Sequence, residues 1–161
     1  MLHIERAEAK HTGTITGILD KVTLRLHEKG VRQWTYPWDS GIIEAEAGNG
    51  NVYLLLEDDI AVGTFSIKAI ESINDFRVEP GSMYLYRIAI LPEYQGKNLG
   101  AHVTDHVMGL SQRLDKAVYL DCWAGNSKLR SFYLKAGFEH LGDFPEEDYC
   151  ISIFRYGRSS P

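Results

Sequence analysis

A mixed α/β sheet in one domain is the fold the sequence predicts, and three observations predict it. The chain has 161 residues, 44% of them hydrophobic and 24% charged, which suits one well-filled core. Apolar, β-rich runs at Val52 to Glu57, Ile60 to Ile70 and Met83 to Leu91 supply a sheet. A strand, helix, strand succession between Met83 and Trp123 marks a parallel crossover.

Taken in order, Leu2 to Glu8 reads as a strand, and Ile15, Ile18, Leu19, Val22 and Leu26 fall on one helical stripe ended by Gly30. An aromatic stretch follows, Gln33 to Trp38, then a short helix around Ile42 to Ala47 and the turn-forming Gly48-Asn49-Gly50. Asp58-Asp59 separates the next two runs into an antiparallel hairpin, and Asn74 to Gly81 reads as a connecting loop. Met83 to Leu91 barely alternates, as a central strand covered on both faces would. In the crossover helix Leu99, Val103, Val107, Leu110 and Leu114 share a face, and Ala117 to Trp123 is the next strand. Asn126 caps a further helix with Leu129, Phe132, Tyr133 and Ala136 on one side and Gly137 at its end. Two strands, Phe138 to Gly142 and Tyr149 to Tyr156, flank the acidic loop Glu146 to Asp148, giving one domain over 1–156 and a tail over 157–161 that is expected to fray.

Lys and Arg total 17 against 22 Asp and Glu, a formal charge of −5 with no basic tract, which excludes nucleic acid as the expected partner. The sequence has no apolar run of spanning length, and Met1 to Lys10 is charged and alternating, so neither a membrane span nor a secretory signal is expected. A cytoplasmic protein follows as the expectation. The two cysteines, Cys122 and Cys150, lie in apolar stretches that suit buried, reduced thiols.

Chemistry concentrates in two segments. Gln95-Gly96-Lys97-Asn98-Leu99-Gly100-Ala101 joins a buried strand to an amphipathic helix. Consecutive amides there can converge on an anion at the positive helix end, and a plain strand-to-helix turn is the competing reading. Lys97 is not followed by Ser or Thr and the three spaced glycines of a dinucleotide loop are absent, so neither phosphate-binding signature applies. The second segment is Asn126 to Phe138. Together the two resemble the GNAT superfamily of N-acetyltransferases, whose loop reads Gln/Arg-x-x-Gly-x-Gly/Ala and whose later helix reads Asn-x-x-Ala-x-x-Phe/Leu-Tyr-x-x-x-Gly-Phe. The close resemblance covers Met83 to Phe138. Asn98 stands where the family has the first glycine of its pair, and Leu129 where it has a small residue; Asn is the non-glycine residue that best tolerates positive φ.

The resemblance implies a mostly antiparallel mixed sheet with a central, splayed parallel strand pair flanked by helices. It also implies acetyl-CoA as donor and CoA as product. The amides of Gln95, Gly96, Lys97, Asn98, Leu99, Gly100 and Ala101 would hold the pyrophosphate, while Ile88, Ala89 and Ile90 would pair with the pantetheine arm like an added strand. Asn126 would touch that arm, and Tyr133 would protonate the departing thiolate.

The proton acceptor is left open, because Met83 to Leu91 contains no carboxylate and offers Tyr84, Tyr86 and Arg87 instead; Glu57, the Glu146 to Asp148 loop and a water chain are the alternatives. Trp34, Tyr36 and Trp38 occupy the family's acceptor region, either lining the acceptor site or closing the core under a long loop. His102 and His106 are four apart but lack the Glu of a zinc hydrolase motif, so a surface role and no metal are expected. Cys122 is expected to carry no acetyl group, strand burial raising its pKa. The reading is therefore direct acetyl transfer to a primary amine of a small molecule or peptide, by a monomer or homodimer. A non-catalytic acyl-CoA-binding regulatory module is the alternative.

Overall fold

The computed structural model describes residues 1–31 and 33–158. Its strands are β1 (Leu2–Arg6), β2 (Val52–Glu57), β3 (Ile60–Ala69), β4 (Ser72–Ile73), β5 (Phe76–Arg77), β6 (Met83–Ile90), β7 (Val118–Trp123), β8 (Glu139–Glu146) and β9 (Tyr149–Tyr156). Its helices are α1 (Thr12–Glu28), α2 (Ser40–Gly48), α3 (Leu99–Leu114) and α4 (Ser127–Ala136). Seven strands pair in the order β1-β2-β3-β6-β7-β9-β8, with β6 and β7 parallel, and β4 and β5 form a separate hairpin. The central position expected for the third long strand is that of β6. The β6 and β7 register runs over Met83↔Val118 and Tyr84↔Tyr119 only, so the parallel pair is joined at its start and parts beyond it.

The chain groups into two compact units, Met1–Ser66 with Arg87–Leu99, and Ile67–Tyr86 with Gly100 onwards. In the first, the β1/β2 and β2/β3 ladders are antiparallel, with a bulge between Leu55 and Leu56. The stripe of α1 buries Ile15, Ile18, Leu19 and Val22 against Ile43, Ala47, Val52, Leu54, Ala89 and Leu91. Each Ile, Leu or Val among them contributes roughly 2 kcal/mol on leaving water. The Asp39 side chain caps α2, accepting from the amides of Gly41 and Ile42.

In the second unit β7/β9 and β8/β9 are antiparallel, with an irregularity between His140 and Gly142. The α3 face turns out to run through Val103, Val107 and Ser111, while Leu114 is 48% exposed. Leu114 is the last residue of α3, and Ser111 holds the buried position before it; its hydroxyl donates to the Lys116 carbonyl at 2.6 Å and closes the helix. As expected, the Asn126 side chain caps α4 by accepting from the Leu129 amide at 3.0 Å, and Gly137 ends it at φ 113°.

Three expectations are corrected. The stretch expected as loop after Ile73 contains β5 and belongs to a two-stranded hairpin. The penultimate strand continues past Gly142 to Glu146, because its bulge realigns it on β9. Cys150 is exposed, since it lies at the solvent-facing start of β9. In the expected tail, Gly157 sits against Ser111 with no room for a Cβ, and Arg158 pairs with Asp115 at 2.6 Å; 159–161 lie outside the described residues.

Candidate active site

In the first unit, β6 leads into a short 3-10 turn, Pro92–Tyr94, and then into the loop before α3. Gly96 has φ 82° and Asn98 has φ 64°, two left-handed positions in one turn, so Asn98 adopts the backbone its residue type tolerates. Gln95 to Asn98 are exposed, and the space beside the Gly96 Cα is open. The Gln95 side chain folds back to donate to the Ile90 carbonyl at 2.9 Å, tying loop to strand. No carboxylate lies between Gln95 and Ala101, and Lys97 is cationic. Exposed amides, two left-handed residues and the start of a 16-residue helix fit a pyrophosphate on chemical grounds. The residues Ile88 and Ile90 are half-buried and Ala89 is buried. Gly63 allows β3 to approach there: a Cβ on it would meet the Ala89 carbonyl oxygen at 2.9 Å.

Arg87 interrupts β6 with φ 51° and is ion-paired to Glu46 at 2.6 Å. Its guanidinium lies 5.1 Å from the Trp38 ring centroid. Trp34 and Trp38 meet edge-on at 5.5 Å and rest partly buried on the α1 core. Trp38 Nε1 donates to Thr23 Oγ1 at 2.8 Å and its amide to Asp20 at 2.9 Å. Tyr36 is 46% exposed. The two indoles thus close the core under the loop, and the phenol faces solvent.

In the second unit, Gly100 and Ala101 open the first turn of α3. Gly100 is small because Phe132 of α4 lies against it, a Cβ there meeting the ring at 3.3 Å. Asn126, besides capping α4, keeps its side-chain amide nitrogen for another partner. Tyr133 is 6% exposed, between Phe138 and Phe154 at ring distances of 5.9 and 5.6 Å. Its hydroxyl has no hydrogen-bond partner among the described residues. Burial, then the nearby charges of Cys122 and Asp121, raises the phenol well above its ordinary value and keeps it protonated. The Cys122 thiol is pushed up to about 11, chiefly by burial, which suppresses the thiolate an acetyl-enzyme route needs.

The residue that sequence reasoning missed is Asp121. It projects from β7 between buried Leu120 and Cys122 and accepts a hydrogen bond from the Tyr84 hydroxyl at 2.9 Å. Burial raises its carboxyl above the ordinary range, the Tyr84 bond opposes this and Glu146 adds to it. A lone carboxylate inside an otherwise uncharged strand was the available signal. Among the earlier alternatives, Glu57 is drawn to the N-terminal ammonium at 3.6 Å, and Glu146 accepts from Asn74 at 2.8 Å and Tyr149 at 3.1 Å. His102 is exposed, whereas His106 is half-buried. Among the described residues no three His, Cys, Asp or Glu side chains are grouped to hold a metal ion, and no helix is long and apolar enough to cross a membrane.

Comparison with known proteins accords with this geometry. The profile of the acetyltransferase (GNAT) family matches residues 22–138. The chain is 27% identical over 138 residues to a Bacillus subtilis (strain 168) protein named uncharacterized N-acetyltransferase YesJ, covering 80% of this chain and 77% of that one. A crystal structure of a GNAT-family acetyltransferase from Listeria monocytogenes 4b F2365 matches with TM-score 0.78 at 20% identity, over 98% of this chain and 95% of the other. The putative acetyltransferase yncA from Salmonella typhimurium, solved with its cofactor acetyl-CoA, matches with TM-score 0.73 at 17% identity, over 99% and 95%. With the profile spanning most of the sequence and the sheet having its parallel pair where that fold has it, the chain belongs to the acetyltransferase (GNAT) family, as an N-acetyltransferase whose donor is acetyl-CoA.

Proposed function

We propose that this protein, through residues 1–156 acting as a single N-acetyltransferase domain, transfers acetyl from acetyl-CoA directly to a primary amine of a small molecule or peptide. The observation that carries this reading is Tyr133: a phenol buried among aromatic rings, held protonated and with its hydrogen uncommitted. Such a group serves as the proton donor to a departing thiolate. A high Cys122 pKa disfavours a covalent acetyl-enzyme, which leaves direct attack by the amine.

In this reading the amides of Gln95 to Ala101 bind the pyrophosphate at the start of α3. Main-chain groups of Ile88, Ala89 and Ile90 bind the pantetheine arm, and the Asn126 side-chain amide donates to it. Tyr36 contacts the body of the acceptor, with Trp34 and Trp38 fixing the loop that presents it. Two unpaired cysteines are compatible with a reducing compartment, and we assign the protein to the cytoplasm.

The test is thiol release from acetyl-CoA across a panel of primary amines and peptides, with mass spectrometry of the acetylated product. Turnover with at least one amine is expected. Tight binding of acetyl-CoA with no turnover across the panel would instead support a regulatory acyl-CoA-binding module.

A further inference from the structure

The second unit holds a cleft of about 290 Å³ whose polar lining is Lys68, Ser72, Asn74, Tyr84, Asp121 and Glu146. The Tyr84 ring that lines it stacks on Tyr86 at 5.4 Å, with the Lys68 ammonium 5.9 Å from the first ring and 4.8 Å from the second. The lining also carries two carboxylates. Glu146 is occupied by Asn74 and Tyr149, whereas Asp121 takes one hydrogen bond, from Tyr84 to Oδ2, and none to Oδ1. Asp121 is half-buried in the cleft lining, so its second oxygen is available to a hydrogen-bond donor that enters there.

We propose that this cleft receives the acceptor as its ammonium form and that Asp121 Oδ1 takes the ammonium proton. The proposal deepens the acetyl-transfer reading and rests on it. Asp121 is within electrostatic reach of Tyr133, which places a proton acceptor on β7 and a proton donor on α4 in the same unit.

The ammonium gives one proton to Asp121; the freed nitrogen lone pair forms the C–N bond to the thioester carbonyl carbon. The C–S bond breaks with its electron pair on sulfur, which takes the Tyr133 proton. The second nitrogen proton returns to the Tyr133 phenolate, and Asp121 releases its own to water. Besides burial, Tyr84 from β6 and Glu146 from β8 set the proton affinity of Asp121, and the other titratable groups around it are Lys68 from β3, Tyr149 from β9, Tyr133 from α4 and its neighbour Cys122. Its raised carboxyl pKa brings it closer to the amine it must deprotonate.

The experiment measures kcat/KM for Asp121→Asn and Tyr84→Phe against pH, with an alkyl amine and with a weakly basic one such as trifluoroethylamine. Calorimetric titration of CoA checks that each variant is folded and binds the cofactor. Asp121→Asn should lose about a hundredfold or more with the alkyl amine at pH 7. The defect should shrink as pH approaches the amine pKa of about 10.4, and largely vanish with the weak base. Tyr84→Phe removes the bond that stabilises the carboxylate, so the acidic limb of its profile should move to higher pH. That second readout stands even if Asp121→Asn does not fold. An Asp121→Asn rate equal to wild type at pH 7, a defect identical for both amines, or an unmoved limb in Tyr84→Phe would overturn the assignment of Asp121 while leaving acetyl transfer intact. A wild type that releases no thiol with any amine would overturn both.

Discussion

The Tyr84 hydroxyl of β6, from the last rung of the parallel ladder, donates a 2.9 Å hydrogen bond to the carboxylate of Asp121, two residues past that rung on β7. The bond extends the link between the two strands past the end of their backbone pairing. Burial raises the Asp121 carboxyl above the ordinary carboxylate range, and a carboxyl with a raised folded-state pKa destabilises the native state once it ionises. Asp121→Asn should therefore melt at or above the wild-type temperature at pH 7. The gap should grow as pH rises from about 4, through the raised pKa. Thermal melts from pH 4 to 8 test this, and a variant that loses stability at pH 7 would show that the charge holds the strands together.

Tyr133→Phe keeps the ring among Phe138 and Phe154 and removes only the hydroxyl, so CoA affinity and neutral-pH stability should barely change. The rate kcat should fall by about a hundredfold if proton donation to sulfur is lost. An ordinary phenol titrates near 10, yet burial lifts Tyr133 well above that, so the high-pH limb of the wild-type rate profile should not move in the variant. The phenol appears instead in stability: wild type should weaken above about pH 10 as the unfolded tyrosine ionises, and Tyr133→Phe should weaken less. Single-turnover rates and alkaline denaturation curves give the two readouts.

Much of this was legible because it is periodic or local. The strands, the α1 stripe, the Asn126 cap and the Gly137 terminus each depend on residues within a few positions of one another. What was hidden depends on register. Tyr84 and Asp121 are 37 positions apart, and pairing them requires knowing that β6 and β7 run side by side and in which alignment. Gly100 looked like a loop glycine, but its lack of a side chain answers to Phe132 on another helix. The hairpin of β4 and β5 has two residues per strand, too few to generate an alternating pattern.

Asn126 has two separable roles. Its side-chain oxygen caps α4 through the Leu129 amide, and donation by its NH2 group to the pantetheine arm is the role we propose. Asn126→Asp keeps an acceptor for the cap and removes the donor, so the melting temperature should hold while the acetyl-CoA KM rises several-fold. Asn126→Ala loses both, and should cost about 1 kcal/mol of stability as well. Equal acetyl-CoA KM values for wild type and Asn126→Asp would restrict the residue to capping.

The aromatic loop separates in the same way, because its rings face different surroundings. Trp38 is fixed by Thr23, Asp20 and the Arg87 guanidinium, and it rests on the α1 core beside Trp34. Trp38→Ala should therefore cost roughly 3 kcal/mol, by loss of buried ring area and of a partner for Thr23. Over a chain of this size that lowers the melting temperature by about 10 °C. Trp38→Phe, which keeps most of the ring and loses the indole donor, should cost about 1 kcal/mol. Tyr36 is 46% exposed, so Tyr36→Ala should leave the melting temperature unchanged. If its ring contacts the acceptor, the acceptor KM should rise several-fold while the acetyl-CoA KM stays put. Steady-state kinetics with each substrate varied in turn, alongside thermal melts, tells the two kinds of residue apart. An acceptor KM that Tyr36→Ala does not move would take this loop out of the acceptor site and leave the Asp121 cleft as the place where the amine is recognised.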